Sequence, residues 1–337
     1  MSPTASNPDR RAFLARLAKA GLLATATGIA GFKLYDGIGP SPSSADQTTL
    51  TLPEYAIDDP SKPQRRNRLA VVHGNDRKQT VNQGLKALGG IEAFIKKGER
   101  VLIKVNAAFA SPPALSATTH PDLVTELVRL CLEAGAVEVR VADNPINDPA
   151  TCFELTGIGP AARSAGARLM LPRITSFQPV SVSGGRLIKN WPVFVEPLTG
   201  VDKVIGVAPV KDHHRSGASL SMKNWYGLLG GRRNIFHQEI HDIIYELALM
   251  IRPTLVILDG TATMMTNGPT GGSLADLKQT DTMILGTDPV AVDTFGAGLL
   301  EKSIDTLPFI AKAEAAGLGT TDLEPIFLNL GNGLINS

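Results

Sequence analysis

The chain holds two cysteines, Cys131 and Cys152. That number excludes a four-thiolate zinc site, and it excludes an iron–sulfur cluster ligated by this chain alone. It leaves open one Cys131–Cys152 disulfide in an oxidising compartment, because sequence does not give the separation of the two Cα atoms. Charge of one sign is also missing: 33 Lys and Arg face 32 Asp and Glu, a net +1. No global field therefore recruits nucleic acid or an anionic membrane, and nucleic acid is not expected as a partner. Aromatic residues make up 5% of the chain. There is no Gly-x-Ser-x-Gly elbow of the lipase type and no P-loop ending in Gly-Lys-Ser/Thr.

An apolar fraction of 43% and 33 glycines suit a globular α/β architecture with many tight turns. Residues 1–45 read as an address rather than fold. Asp9-Arg10-Arg11-Ala12-Phe13-Leu14 resembles the twin-arginine export motif, and Arg16 and Lys19 extend its positive region. The uncharged stretch 20–32 falls short of the roughly 20 residues that cross a bilayer. Ser43-Ser44-Ala45 offers small residues at a cleavage position. The motif implies a periplasmic or other extracytoplasmic location, the twin-arginine machinery as a partner, and a cargo exported folded. An uncleaved signal would instead anchor the chain. Residues 46–68, with Lys62, Arg65, Arg66 and Arg68, read as a solvated linker or edge extension.

From residue 69 to 330 the pattern predicts one α/β domain, a mainly parallel sheet flanked by helices. Leu69–Val72, Val101–Asn106 and Val137–Ala142 read as strands, and a helix starting at Thr119-His120-Pro121-Asp122 joins the last two in a βαβ unit. Thr119 is its expected cap. Val81–Lys97 and Phe236–Ile251 read as further helices. Leu169–Leu171, Val204–Val207, Leu255–Leu258 and Thr282–Leu285 read as strands, the last two of parallel type. Asp288 and Pro289 start another helix. Residues 172–199 predict a small β-rich insertion.

Ligands of open α/β sheets bind outside the carboxyl ends of the strands, and polar residues there are the candidates. Lys104 and Asn106 end one strand, Asp143 and Asn144 the next, and Asp259 a third. His120, at a helix start, leans neutral and suits a base or metal ligand. The densest polar tract follows Val204–Val207: Lys211-Asp212-His213-His214-Arg215, then Ser219, Ser221, Lys223 and Asn224. Its cations and hydroxyls suit a carboxylate or phosphate. His237 and His241 share a helical face by spacing, but Gln238 stands where a zincin needs Glu. Thr261–Gly272 reads as a glycine-rich loop, able to approach an anion or simply to turn. Cys131 reads as a core residue and Asp288 as a cap, with Asp293 facing inward.

Several tracts together resemble the domain-of-unknown-function family 362. They are Gly98–Asn106 with Thr118-Thr119-His120-Pro121; Lys211-Asp212-His213 with Leu220–Gly227 and His237; and Asp259-Gly260, Gly268-Pro269 and Asp288–Asp293. Val105 stands where that family commonly has proline, and the ferredoxin-like cysteine clusters of many relatives are absent. The family has no settled activity. A likeness in layout to nickel-dependent lactate racemases rests on paired histidines and a lysine near an α/β cleft, a fold-level analogy. The leading expectation is an exported enzyme acting on a small anionic organic molecule by redox or proton transfer, with a bound metal or cofactor. Its catalytic residues would be His120, His213 and His237. Lys104, Asn106, Lys211, Lys223 and Asn224 would bind substrate, and His213, His237 and Asp259 would hold a metal ion. The alternative is a non-catalytic protein that captures an anionic solute or assists assembly of an exported redox complex, with a redox partner.

Overall fold

A computed structural model describes residues 12–13, 15–19, 21–22, 50–56 and 68–330. The paired arginines, the cleavage segment and most of the basic linker lie outside the described residues. The chain divides into Met1–Gln47, whose described residues are helical, and Thr48–Ser337. In the second unit, part of the expected linker is tied down: Leu50 bridges Val180, and Tyr55 N–H donates to the Arg252 carbonyl at 3.0 Å. Among the described residues no helix is long and apolar enough to cross a membrane.

The strands are β1 (Arg68–His73), β2 (Arg100–Lys104), β3 (Glu138–Ala142), β4 (Arg168–Met170), β5 (Phe177–Val180), β6 (Trp191–Phe194), β7 (Lys203–His213), β8 (Gly217–Ser219), β9 (Leu255–Met264), β10 (Leu277–Gly286) and β11 (Glu324–Asn329). The main sheet runs β11-β1-β10-β9-β7-β2-β3-β4, with β8 appended to β7. Strands β9, β7, β2, β3 and β4 are mutually parallel. The expected β-rich insertion is the β5–β6 hairpin. Helices are α1 (Arg77–Ala87), α2 (Pro121–Glu133), α3 (Pro149–Leu155), α4 (Ile158–Ser164), α5 (Ser221–Asn224), α6 (Ile240–Met250), α7 (Pro289–Leu299) and α8 (Pro308–Ala315).

Strand alternation builds two cores. Leu69, Val71, Leu102, Val204, Val256, Leu258 and Ile284 face one, shared with α6, α7, α8 and the β5–β6 hairpin. Ala70, Val72, Val101, Ile103, Ile205, Leu255, Ile257 and Leu285 face the other, against α1, α2 and α4. Successive Cβ atoms of a strand point to opposite faces, and burying each large side chain contributes about 1.5–3 kcal/mol. Burial on both faces is why these strands read as apolar runs.

Four sequence expectations are corrected. The helix expected over 81–97 ends at Ala87, because Gly89 and Gly90 take positive φ, and a 3₁₀ turn follows at Ile91–Ala93. β10 is antiparallel to β9, since a hairpin rather than a crossover joins them. The strand expected to end at Val207 runs on through the polar tract 211–213 as β7 and pairs with β8. The expected loop at 261–272 begins later, because β9 runs to Met264. Cys131 and Cys152 are free and buried, so no disulfide forms.

Candidate functional site

The connection order reverses between β2 and β7. From β2 the chain moves outward through β3 and β4, then returns to β7 and β9 on the other side. Such a switch point opens a crevice at the strands' carboxyl ends. A cavity of about 570 Å³ lies there. It is lined by Lys104 at the end of β2 and Asn106 just beyond it, Asp143 and Asn144 after β3, Lys211 and His213 of β7, and Lys223 and Asn224 of α5. The 3₁₀ segment Arg233–Glu239 adds Arg233 and His237, and the β9–β10 loop adds Asn267, Gly268 and Pro269.

The floor is a saturated ion pair. Lys104 Nζ lies 2.7 Å from Asp143 Oδ1, and both side chains are almost wholly buried. The same ammonium donates to the Val105 carbonyl at 2.8 Å, the Asn224 carbonyl at 2.7 Å and Asn224 Oδ1 at 3.0 Å. Asp143 Oδ2 accepts from Ala107 N–H at 2.6 Å. Burial lowers the Lys104 pKa, against the attraction of Asp143. Gly227 is required above this pair, since a Cβ there would lie 2.0 Å from Asp143 Oδ1 and 2.7 Å from Lys104 Nζ. Asn224 is spent on structure, its amide donating to the Lys104 and Val207 carbonyls at 3.2 Å. Asn106 Oδ1 is buried and has no partner among the described residues.

Three further cations face the cavity. Lys211, 1% exposed, donates to the Ala117 carbonyl at 2.5 Å and sits over the Phe109 ring. Lys223 lies over the Tyr226 ring, 5.5 Å from its centroid, with no hydrogen bond or ion pair among the described residues. Arg233 donates to the Pro145, Leu229 and Tyr226 carbonyls at 2.9, 3.1 and 3.3 Å, neutral acceptors all. Burial, reinforced by neighbouring cations, brings Lys211 and Lys223 each down to about 7. Asp143 is the single carboxylate among the described residues that line the cavity. Four cationic side chains around one anion leave an excess of positive charge in a desolvated space.

Three imidazoles form one wall. His213 stacks on His214 (centroids 5.0 Å apart) and on His237 (6.0 Å). His213 Nδ1 accepts from Arg215 N–H and Ser216 N–H, each at 3.2 Å. Its proton therefore sits on Nε2, a donor, and burial with Lys223 nearby pushes the pKa down to about 2. Tyr226 donates its hydroxyl proton to the Arg233 carbonyl. His237 Nδ1, 3.2 Å from both that hydroxyl and the Asn234 carbonyl, is then the donor, leaving Nε2 as an acceptor. Burial also lowers the His237 pKa. The two neutral rings thus carry opposite tautomers. Gly268 lets the 267–269 loop touch β7: its N–H donates to Asp212 Oδ2 at 3.2 Å, and a Cβ would lie 1.9 Å from the Asp212 carbonyl oxygen.

Of the residues singled out in the sequence, Lys104, Asn106, Lys211, His213, Lys223, Asn224 and His237 line this cavity, and His120 and Asp259 do not. Asp259 pairs with Arg77 Nε at 2.6 Å. His120, not Thr119, caps α2: its Nδ1 accepts from Asp122 N–H at 3.3 Å. Thr119 instead accepts from Asn106 N–H and donates to the Val207 carbonyl. His237 and His241 share no helical face, because His237 sits in the 3₁₀ segment before α6, and His241 stacks on Phe309 of α8. The metal set His213, His237 and Asp259 is not assembled: among the described residues no group of three His, Cys, Asp or Glu is placed to hold a metal ion. Asp288 caps α7, and Asp293, pushed up to about 7 by burial, accepts from Ser221 and Met222 N–H groups and so fixes α5. Sequence reasoning did not select Arg233 or Phe109, and it weighed Asp143 without choosing it. Arg233 gave no local signal, whereas Asp143 stood at a strand's carboxyl end.

Fold and cavity define an α/β protein with a cation-rich pocket at the carboxyl edge of a mostly parallel sheet. The chain belongs to the family described as Domain of unknown function (DUF362), whose model matches residues 101–298. It is 27% identical over 256 residues to a thylakoid-associated protein of Synechocystis sp., covering 72% of this chain and 76% of that one. Among solved structures, the lactate racemase apoprotein of Thermoanaerobacterium thermosaccharolyticum matches at 12% identity and a TM-score of 0.39, over 72% of this chain and 58% of that one. A Thermotoga maritima protein matches at 12% identity and a TM-score of 0.33, over 71% and 59%. The chain thus spans somewhat under three-fifths of the length of these two solved structures, and both likenesses concern layout, not chemistry.

Proposed function

We propose that this protein binds a small organic anion in the cavity and transfers a proton on it. The observation that carries this is the excess of Lys104, Lys211, Lys223 and Arg233 over the single carboxylate of Asp143. Desolvated cations seek an anion, and charge-assisted hydrogen bonds to carboxylate or phosphate are the strong ones. Lys223, near 7 and without a hydrogen-bonded partner among the described residues, suits general acid–base work, which is most effective when the pKa lies near the working pH. The His213 Nε2–H is a neutral donor for an oxygen on which charge develops, and the His237 Nε2 accepts. The paired Arg10 and Arg11 support a place for this activity outside the cytoplasm.

The test combines calorimetric titration of organic acids with NMR detection of solvent deuterium entering the bound acid. Lys223→Met is expected to weaken binding and abolish exchange, and His213→Ala to suppress exchange while binding persists. Binding with no exchange in the native chain would make the protein a carrier or sensor of the anion. Affinity unchanged in Lys223→Met, with the melting profile intact, would defeat the anion reading itself.

A further inference from the structure

The cationic cavity does not end at its imidazole wall. A second cavity of about 470 Å³ adjoins it, and the two share Asn144, Ile146, Tyr226, Arg233 and His237. Its remaining walls include Pro145, Phe177, Gly230 and Gly231, with no lysine and no carboxylate among the described residues. Gly230 lies against Phe177, where a Cβ would come within 2.6 Å of the ring. Ile146 lines both cavities and is 65% exposed, the one purely aliphatic side chain among the described residues that the two share. Its backbone is tied down, since Ile146 N–H donates to the Ala108 carbonyl at 2.9 Å, next to Phe109. Ligand sites are mostly apolar, with few polar groups that orient the ligand. A large apolar side chain left exposed where two cavities meet is a place for ligand hydrocarbon.

We infer that the ligand is an elongated amphipathic acid, whose charged head sits among Lys211, Lys223 and Arg233 and whose apolar body crosses Ile146 into the second cavity. This rests on the anion reading above and adds the size and character of the molecule. The first cavity, at about 570 Å³, is of the size that takes drug-sized ligands, so a two- or three-carbon acid leaves most of it wet. The buried Asn106 Oδ1 adds a preference for a head that carries a hydroxyl or amide donor.

Straight-chain carboxylates below their micellar concentrations test it, by calorimetry on the full chain with butanoate, hexanoate and octanoate, and with inorganic phosphate and 1-octanol as controls. Each fully buried methylene strengthens binding about fourfold, so octanoate is expected to bind at least about tenfold more tightly than butanoate. Ile146→Ser, a change at an exposed side chain, is expected to weaken octanoate about fivefold and leave butanoate unaltered. A flat series, with butanoate and phosphate equal to octanoate, would overturn the elongated ligand and leave the anion reading standing. A steep series matched by 1-octanol and indifferent to Lys223→Met would remove the charged head and with it the anion reading. No binding by any acid would overturn both.

Discussion

Raising the pH from 6 to 8 is expected to empty the cavity of its anion. Lys211 and Lys223 each sit at about 7 in the free protein, chiefly through burial and then through repulsion by other cations. A group at 7 falls from about nine-tenths protonated at pH 6 to about one-tenth at pH 8. If binding needs both ammonium groups, affinity for an acid already ionised, such as octanoate, drops about tenfold per lysine and about 100-fold in total. The bound anion raises both pKa values, so complex formation at pH 8 takes up nearly two protons. Calorimetry in two buffers of different ionisation enthalpy counts them. Repulsion from Lys223 helps to lower the Lys211 value, after burial. Lys223→Met therefore leaves a dependence of about tenfold, displaced to higher pH. A dissociation constant that is level from pH 6 to 8, with no proton uptake, would refute the picture of two lysines that must be protonated to hold the anion.

Three other outcomes are expected, two from the geometry and one from the sequence. Asp143→Asn leaves Lys104 charged without its 2.7 Å partner and is expected to cost about 3–5 kcal/mol in urea unfolding, the usual effect of breaking a buried pair. Lys223→Met is expected to raise the melting temperature at pH 7. The native lysine is lower in the folded state, at about 7, than the roughly 10.4 of an unfolded chain. Its penalty is therefore full below pH 7 and gone above about pH 10.4, so the two melting curves should converge on alkaline titration. Replacing Arg10 and Arg11 with lysine is expected to retain the protein in the cytoplasmic fraction, and export that persists would sink the twin-arginine reading.

The sheet was largely legible because its central strands are covered on both sides and so appear as unbroken apolar runs. What escaped was polar residues that the fold buries. Lys211 and His213 are 1% and 2% exposed, a burial the sequence did not show, because the apolar run that marks the strand stops at Val207 and the charged tract begins after it. Their solvation is replaced by the Ala117 carbonyl for Lys211 and by two backbone N–H groups for His213, partners that come from chain geometry and leave no mark on composition. Arg233 was missed for a similar reason, since all its acceptors are backbone carbonyls.

The displacement of Asp259 has a simpler cause, and it yields a last prediction. Lys104 ends β2 and Asp259 lies midway along β9, two parallel strands with β7 between them, and in the sequence both close short apolar runs that read as strands. Strand parity separates them. Leu102 packs into the core beneath α6, α7 and α8, and Lys104, two residues on, shares that face. Ile257 packs beneath α1, α2 and α4, and Asp259, also two residues on, shares the opposite face. There it meets Arg77 of α1 at 2.6 Å, and His120, the cap of α2, starts a helix on that side. Asp259→Asn and Arg77→Ala are therefore expected to lower the unfolding free energy, by about 1–3 kcal/mol as for other charge-assisted hydrogen bonds. The octanoate affinity and its pH profile should stay as in the native chain. A loss of affinity in either variant comparable to that of Lys223→Met would mean that the two faces act as one site, and that parity had been given too much weight.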